Sequence, residues 1–513
     1  MKRIRLVLAA FAIAVLAAGP ARAHNAPPRA PASITILHFN DFHGQVEPLD
    51  VPSGQPCGGL PRLAAQVEAE RAAAEKRGDA AFLLFAGDLF TGTSFSTLFQ
   101  GGPEFETLSK IGVAAMVTGN HEWDFGQGVI MTRARHAAFP VVVANVTHPD
   151  PEHDFYKPSA TLRAGSLRVG VIGVTTADTP VTTAPGNTKG YAFLDPVQAV
   201  GDVLKSRQRE WDFVIVLSHC GFEVDRAIAD HYPQVGLIVG GHDHKVIEEP
   251  FVENGVPIVQ AGDRGRFLGE VRIELAKGAR PKVTGRLIPI TSTTAEDPAI
   301  RDLLVPYLDK EASSLGEMVG TLPAALSGDR VLLRSQEMPL GDLMADAMRD
   351  ETKADIALLN AGTLRAGLPA GKVTGRDLLA CLPFFDSVCT IRLTGAQVQA
   401  LLDRCAAMPV EDAPGGFLQV SGLLVRYEGG KALALKVGAS PIEPSRDYLV
   451  ACSHFLLSGG DGLVEFTQGR DVRDWGVGLQ ELMRRQIAKP DLTIPTAGGR
   501  IVRAAAEPAK KAA

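Results

Sequence analysis

Between Ser33 and about Ile290 the chain alternates short apolar runs with longer segments whose apolar residues recur at helical spacing. The runs at 34–40, 81–87, 113–118, 141–146, 168–174, 213–218, 236–240 and 257–260 have the length and aliphatic content of buried strands. Segments 60–77, 125–138 and 196–210, lying between them, predict helices. Such alternation predicts a layered α/β domain, which 267–274 and 282–289 close as antiparallel strands. A polar break at 291–296 precedes an amphipathic helix from Asp297 to Glu317, with Ile300, Leu303, Leu304 and Leu308 on its apolar stripe. A second α/β region follows, with helices near 340–352 and 375–382 and strands at 355–359 and 387–393. The expected organisation is therefore a domain over 24–295, a linking helix over 296–317, a smaller α/β domain over 318–505 and a disordered tail at 506–513.

The first 23 residues stand apart. Lys2, Arg3 and Arg5 precede an apolar stretch from Leu6 to Ala18, and Ala21-Arg22-Ala23 has the form of a signal-peptidase site. The stretch is well short of the ~20 residues that span a bilayer. We expect export to a bacterial periplasm with cleavage after Ala23, leaving a soluble chain with no membrane attachment. Loss of Lys2, Arg3, Arg5 and Arg22 with the leader takes the formal net charge from −6 to −10. No Lys/Arg-rich run offers the basic stripe that a nucleic-acid polymer requires, so a small-molecule partner is expected. The six cysteines form no C-x-x-C pair, which argues against a cysteine zinc site; four follow residue 380, and a bridge within the C-terminal half is expected.

Five short polar motifs follow the apolar runs: Asp41-Phe42-His43, Gly87-Asp88, Gly119-Asn120-His121-Glu122, Ser218-His219 and Gly241-His242-Asp243-His244. Strand C-termini in an α/β sheet point their loops at one crevice. Asp41, His43, Asp88, Asn120, His219, His242 and His244 can therefore converge there, and imidazole with carboxylate suits divalent ions of the zinc, manganese or cobalt kind. Taken singly, a histidine after a strand is usually a loop residue and a Gly-Asp is often a helix N-cap. His121 and Asp124 are three apart, so the carboxylate can hydrogen-bond one ring nitrogen and fix the tautomer. Locally, that spacing also describes a turn-stabilising pair.

Asn40-Asp41-Phe42-His43-Gly44, Gly119-Asn120-His121-Glu122-Trp123-Asp124-Phe125-Gly126 and Gly241-His242-Asp243-His244 together resemble the metallophosphoesterase superfamily, and within it the 5′-nucleotidase family. The resemblance extends over about 34–505 and implies an N-terminal α/β/β/α domain with two metal ions and a C-terminal substrate-binding domain. It implies that Asp41, His43, Asp88 and His244 hold one ion, that Asp88, Asn120, His219 and His242 hold the other, and that His121 and Asp124 are the catalytic dyad. In the second half, Asn360-Ala361-Gly362-Thr363-Leu364-Arg365 is similar to the family's Asn-x-Gly-x-x-Arg motif, with Ala-Gly-Thr where Gly-Gly-Gly is common. Asn360, Arg334 and Arg365 are thereby implied on the substrate, Phe384 and Phe455 on the two faces of the base, and Asp461 on the ribose hydroxyls. Arginine suits phosphate because its planar fork pairs with two oxygens.

The implied enzyme is an exported, monomeric hydrolase of nucleoside 5′-monophosphates, extending to nucleotide sugars or nucleoside di- and triphosphates, in which a metal-bound hydroxide attacks phosphorus in line. Three other readings share the metal half: a 2′,3′-cyclic-nucleotide phosphodiesterase and 3′-nucleotidase, a thiosulfohydrolase, and a nucleotide-binding protein without turnover. Asp124 and Gly459-Gly460-Asp461-Gly462 favour the 5′-nucleotidase form over the first.

Overall fold

A computed structural model describes residues 33–49, 55–275 and 280–503. The expected leader and the whole of the expected tail lie outside these residues. Among the described residues no helix is long and apolar enough to cross a membrane.

The N-terminal region holds two sheets face to face. The first orders strands Lys282–Pro289, Phe267–Glu274, Ser33–Phe39, Ala80–Phe85 and Val113–Met116, the last three mutually parallel. The second orders Phe251–Glu253, Val256–Val259, Leu237–Val239, Phe213–His219, Leu167–Thr175 and Ser159–Ala164, with the middle four parallel. Side chains from both sheets, such as Ile36, Phe85, Ile215 and Leu237, share one core. The outer face of the second sheet packs under the Pro196–Arg207 and Phe222–His231 helices through Val200, Leu204 and Ile228. Burial on both faces explains why the parallel strands read as unbroken apolar runs. Register aligns their ends: Phe39 pairs with Phe85, Phe85 with Met116, and Thr175 with His219.

One expected strand is different. The apolar run at 141–146 makes isolated bridges from Val141 to Met116 and from Val142 to Lys157, and only Val146–Thr147 pairs as a short strand. Its backbone crosses between the sheets, with Val142 N–H bonding Met116 O at 2.8 Å and Ala144 N–H bonding Gly173 O at 2.7 Å. The run is apolar because it is buried between two layers.

A helix over Pro298–Leu315, N-capped by the Asp297 carboxylate, leads to the second region. There a five-stranded sheet runs Leu418–Ser421, Ile356–Asn360, Asp447–Ser453, Ser387–Thr394, Arg470–Gly478 over its own core. The Gly375–Cys381 helix docks on the first region: Arg376 pairs with Glu47 and lies 3.3 Å from buried Glu311 of the linking helix. The expected C-terminal disulfide is not formed. Cys389 and Cys452 sit opposite one another on neighbouring strands, buried, as thiols.

Glu104, in the Gly102–Lys110 helix, carries a stability prediction. It is fully buried and neither carboxylate oxygen has an aligned hydrogen-bond partner. Burial pushes its pKa up from an ordinary 4.5 to about 7. An acid that holds its proton more tightly when folded loses stability as pH rises between those two values, and the loss persists above the higher one. Glu104→Gln keeps the neutral shape. It is expected to raise the melting temperature at pH 8, by a stability gain on the order of 3 kcal/mol, and to change it little at pH 5. An equal shift at both pH values would show that the carboxyl does not titrate in this window.

Candidate metal and substrate site

The five polar motifs leave the C-terminal ends of parallel strands at one edge shared by both sheets. Their backbone is unusual. Asp41, His43, Asp88, His242 and His244 all have positive φ, between 48° and 89°. That region is costly for residues with a Cβ, and such strain gathers at functional sites. Two glycines let the loops close up: a Cβ on Gly87 would lie 2.6 Å from His219 Nδ1, and one on Gly119 would lie 2.1 Å from Asp88 Oδ1.

Ligand-type atoms converge in overlapping groups, each within 4.8 Å: Asp41, His43 and His244; Asp88, His219 and His242; and His43, Asp88 and His121. His43 Nε2 is 3.1 Å from His244 Nε2, and His219 Nε2 is 3.2 Å from Asp88 Oδ2. The outer nitrogens of two rings are fixed by backbone oxygens, His43 Nδ1 by Thr91 at 2.8 Å and His219 Nδ1 by Ala86 at 2.7 Å. His244 Nδ1 lies 3.4 Å from Asp263 Oδ2. Metal-binding histidines are commonly oriented in this way.

The residues present fit metal ions. His219 Nε2 and Asn120 Oδ1 are buried without an aligned hydrogen-bond partner, although each is a ligand atom in the expected set. Charge points the same way. Burial lowers the pKa of His43, with the His244 charge adding to it, and burial together with His219 takes His242 down to about 4. Both are therefore neutral donors. His219 goes the other way: against the effect of its burial, the Asp88 charge pushes it up to about 10. Asp88 thus calls for a cation beside it.

His121 Nδ1 meets Asp124 Oδ2 at 2.6 Å, in a short helical turn anchored by Trp123, which is fully buried against Tyr191, Phe193 and Phe155. Its Nε2 faces an interdomain cavity of about 820 Å³. The second region brings Arg365 across, with Nη2 3.4 Å from that Nε2. Burial, then the nearby Arg330 and Arg264 charges, lower Arg365 to about 10. Arg334 is buried, donates to Ala413 O at 3.0 Å and is lowered chiefly by burial. Cations crowded in this way favour an anion between them. Asn360 Nδ2 donates to Asp461 Oδ2 at 2.7 Å, and Thr363 Oγ1 to Asn360 Oδ1 at 2.7 Å. Phe384 and Phe455 line the same cavity, Phe384 with its ring 6.5 Å from that of His121. Asp41, His43 and His219 lie behind the wall, at 1% exposure or less.

Sequence reasoning missed three contributors. The Glu122 carboxylate accepts backbone N–H groups from Asp88, Leu89 and Gly119, tying two ligand loops together. Asp263 backs His244. Arg330 lines the cavity and forms no ion pair among the described residues. Only Arg330 left a signal, standing four residues before Arg334 and so one turn away on a helix.

Fold and donor set together define a metallophosphoesterase. The calcineurin-like phosphoesterase family model matches residues 34–246, and the 5′-nucleotidase C-terminal domain model matches 318–468. The chain belongs to the 5′-nucleotidase family of that superfamily, and it is a metal-dependent hydrolase. It is 29% identical over 486 residues to a 5′-nucleotidase of Vibrio cholerae, covering 85% of this chain and 86% of that protein. The solved 5′-nucleotidase precursor of Thermus thermophilus superposes with a TM-score of 0.83 at 28% identity, covering 92% of this chain and 99% of that one. A sulfate thiohydrolase, SoxB, of Thermus thermophilus shares the fold at 20% identity, with a TM-score of 0.74 and coverage of 94% and 97%.

Proposed function

We propose that this chain releases phosphate from nucleoside 5′-monophosphates, and cleaves nucleotide sugars or nucleoside di- and triphosphates at the same site. The observation that carries the reading is the meeting of Arg365 with His121 across the cavity. A phosphate-type cation from one region faces a carboxylate-held imidazole and a metal-ligand cluster from the other. Asp41, His43, Asp88 and His244 would hold one divalent ion and Asp88, Asn120, His219 and His242 a second, with zinc, manganese or cobalt suiting the mixed donors. Bound ions of this kind neutralise charge on a transferring phosphoryl group and acidify a water.

The chain's own residues do the rest. Arg334 and Arg365 grip phosphate oxygens. His121, its Nδ1 proton held on Asp124, presents Nε2 to the reacting group and stabilises or protonates the departing oxygen. Phe384 and Phe455 stack the base, and Asp461, oriented by Asn360, accepts the ribose hydroxyls. These last contacts support a nucleotide over the thiosulfate adduct that a thiohydrolase would take. We further propose a periplasmic monomer cleaved after Ala23, with regions at 24–295, 296–317 and 318–505.

Phosphate release from 5′-AMP, 3′-AMP, cyclic 2′,3′-AMP and UDP-glucose by the metal-loaded mature chain tests the proposal. The 5′ ester is expected to turn over fastest. Preference for the cyclic or 3′ ester would keep the metal cluster and overturn the assignment of the C-terminal pocket.

A further inference from the structure

The carboxylate that fixes His121 is itself fixed from elsewhere in the chain. While Asp124 Oδ2 meets His121 Nδ1, Asp124 Oδ1 accepts the Thr183 hydroxyl at 2.8 Å. Asn187 Nδ2 donates to the Asp124 backbone carbonyl at 2.9 Å. Both residues belong to one strap, formed by the Thr179–Thr182 helix and the Pro185–Thr188 turn. Thr183 is 2% exposed, and its own N–H bonds Thr179 O at 3.1 Å. On its other side the strap packs against the Gly460–Gly462 turn of the second region, which carries Asp461.

From these contacts we infer that Thr183 is a positioning residue for the reaction, holding Asp124 and, through it, the His121 ring. The inference rests on the reading of His121 and Asp124 as the catalytic dyad. A carboxylate with one oxygen on the imidazole and the other on a hydroxyl has its plane fixed at both ends. Without the hydroxyl, Oδ1 loses its donor and the group turns about Cβ–Cγ, spreading the position of Nε2. Alignment of a reacting group governs turnover far more than it governs substrate affinity. Thr is well suited because its β-branch leaves χ1 few choices.

The test uses the full chain with metal present, measuring kcat and KM on 5′-AMP for Thr183→Ala, Thr183→Val, Thr183→Ser, Asp124→Ala and the Asp124→Ala/Thr183→Ala double variant. Thr183→Ala and the isosteric Thr183→Val are both expected to lose roughly tenfold in kcat, the scale of one lost hydrogen bond, with KM and metal content unchanged. Thr183→Ser is expected to recover most of the loss. In the Asp124→Ala background Thr183→Ala is expected to cost nothing more, because residues acting as a unit are not additive. Wild-type kcat in Thr183→Val overturns the inference, and so does a Thr183→Ala loss that adds in full to that of Asp124→Ala. Full turnover in both His121→Ala and Asp124→Ala would show instead that the dyad reading had failed, taking the inference with it.

Discussion

Asp88→Asn is expected to lose metal and turnover together: at most one divalent ion retained per chain, and kcat down by at least about a thousandfold. Asp88 is the carboxylate common to two ligand groups, one with His219 and His242 and the other with His43 and His121. Its Oδ2 lies 3.2 Å from His219 Nε2 and 4.0 Å from His43 Nε2. No other carboxylate reaches both sides of the cluster within those groups. An amide keeps the shape of the side chain and the 2.9 Å bond that Oδ1 accepts from His121 N–H, yet removes the charge that a cation between the rings requires. Elemental analysis of the purified variant beside wild type measures the first effect, and phosphate release measures the second. Retention of two ions with wild-type kcat would remove Asp88 from the cluster.

The architecture of the metal half was legible because the same burial shapes both sequence and structure. Parallel strands covered on both faces must be apolar throughout, so each polar motif marks a strand end, and register brings Phe39, Phe85 and Met116 level. The limits of that logic show at 141–146, where burial between two sheets leaves the same apolar signature without a ladder. They show again at Ser94–Phe99, a short helix of Ser, Thr, Leu and Phe, capped by Thr93, whose composition carries no helical period. Residues whose role depends on a distant partner left no trace. Glu122 reads as the tail of a ligand motif until its carboxylate is seen closing the loop after Phe85 onto Gly119. Thr183 reads as one threonine among several, since its meaning lies 59 residues away at Asp124.

His121→Ala is expected to lower kcat by on the order of 10²–10⁴, the range for a positioned general acid or charge-stabilising group, while metal content and KM stay near wild type. The structure leaves two roles to separate. His121 Nε2 falls in a ligand group with His43 and Asp88, 4.0 Å from Asp88 Oδ2, which is the placement of a third ligand. Yet its Nδ1 is committed to Asp124 at 2.6 Å, its Nε2 is also 3.4 Å from Arg365 Nη2, and its ring lines the cavity that Phe384 and Phe455 share. A ligand would sit against the ion in every state of the enzyme. A transition-state group needs instead a face open to substrate, a partner on its other ring nitrogen and a cation beside it; His121 lines the cavity, meets Asp124 through Nδ1 and has Arg365 at 3.4 Å. Metal stoichiometry therefore decides between the roles: loss of an ion in His121→Ala would make it a ligand, whereas an intact metal complement with collapsed kcat would place it on the departing oxygen. The proposed dyad is itself held from outside its own turn. Among the described residues, Asp124 holds the Nδ1 side of the His121 ring, and the Thr183 hydroxyl of the Thr179–Thr188 strap holds the second oxygen of Asp124.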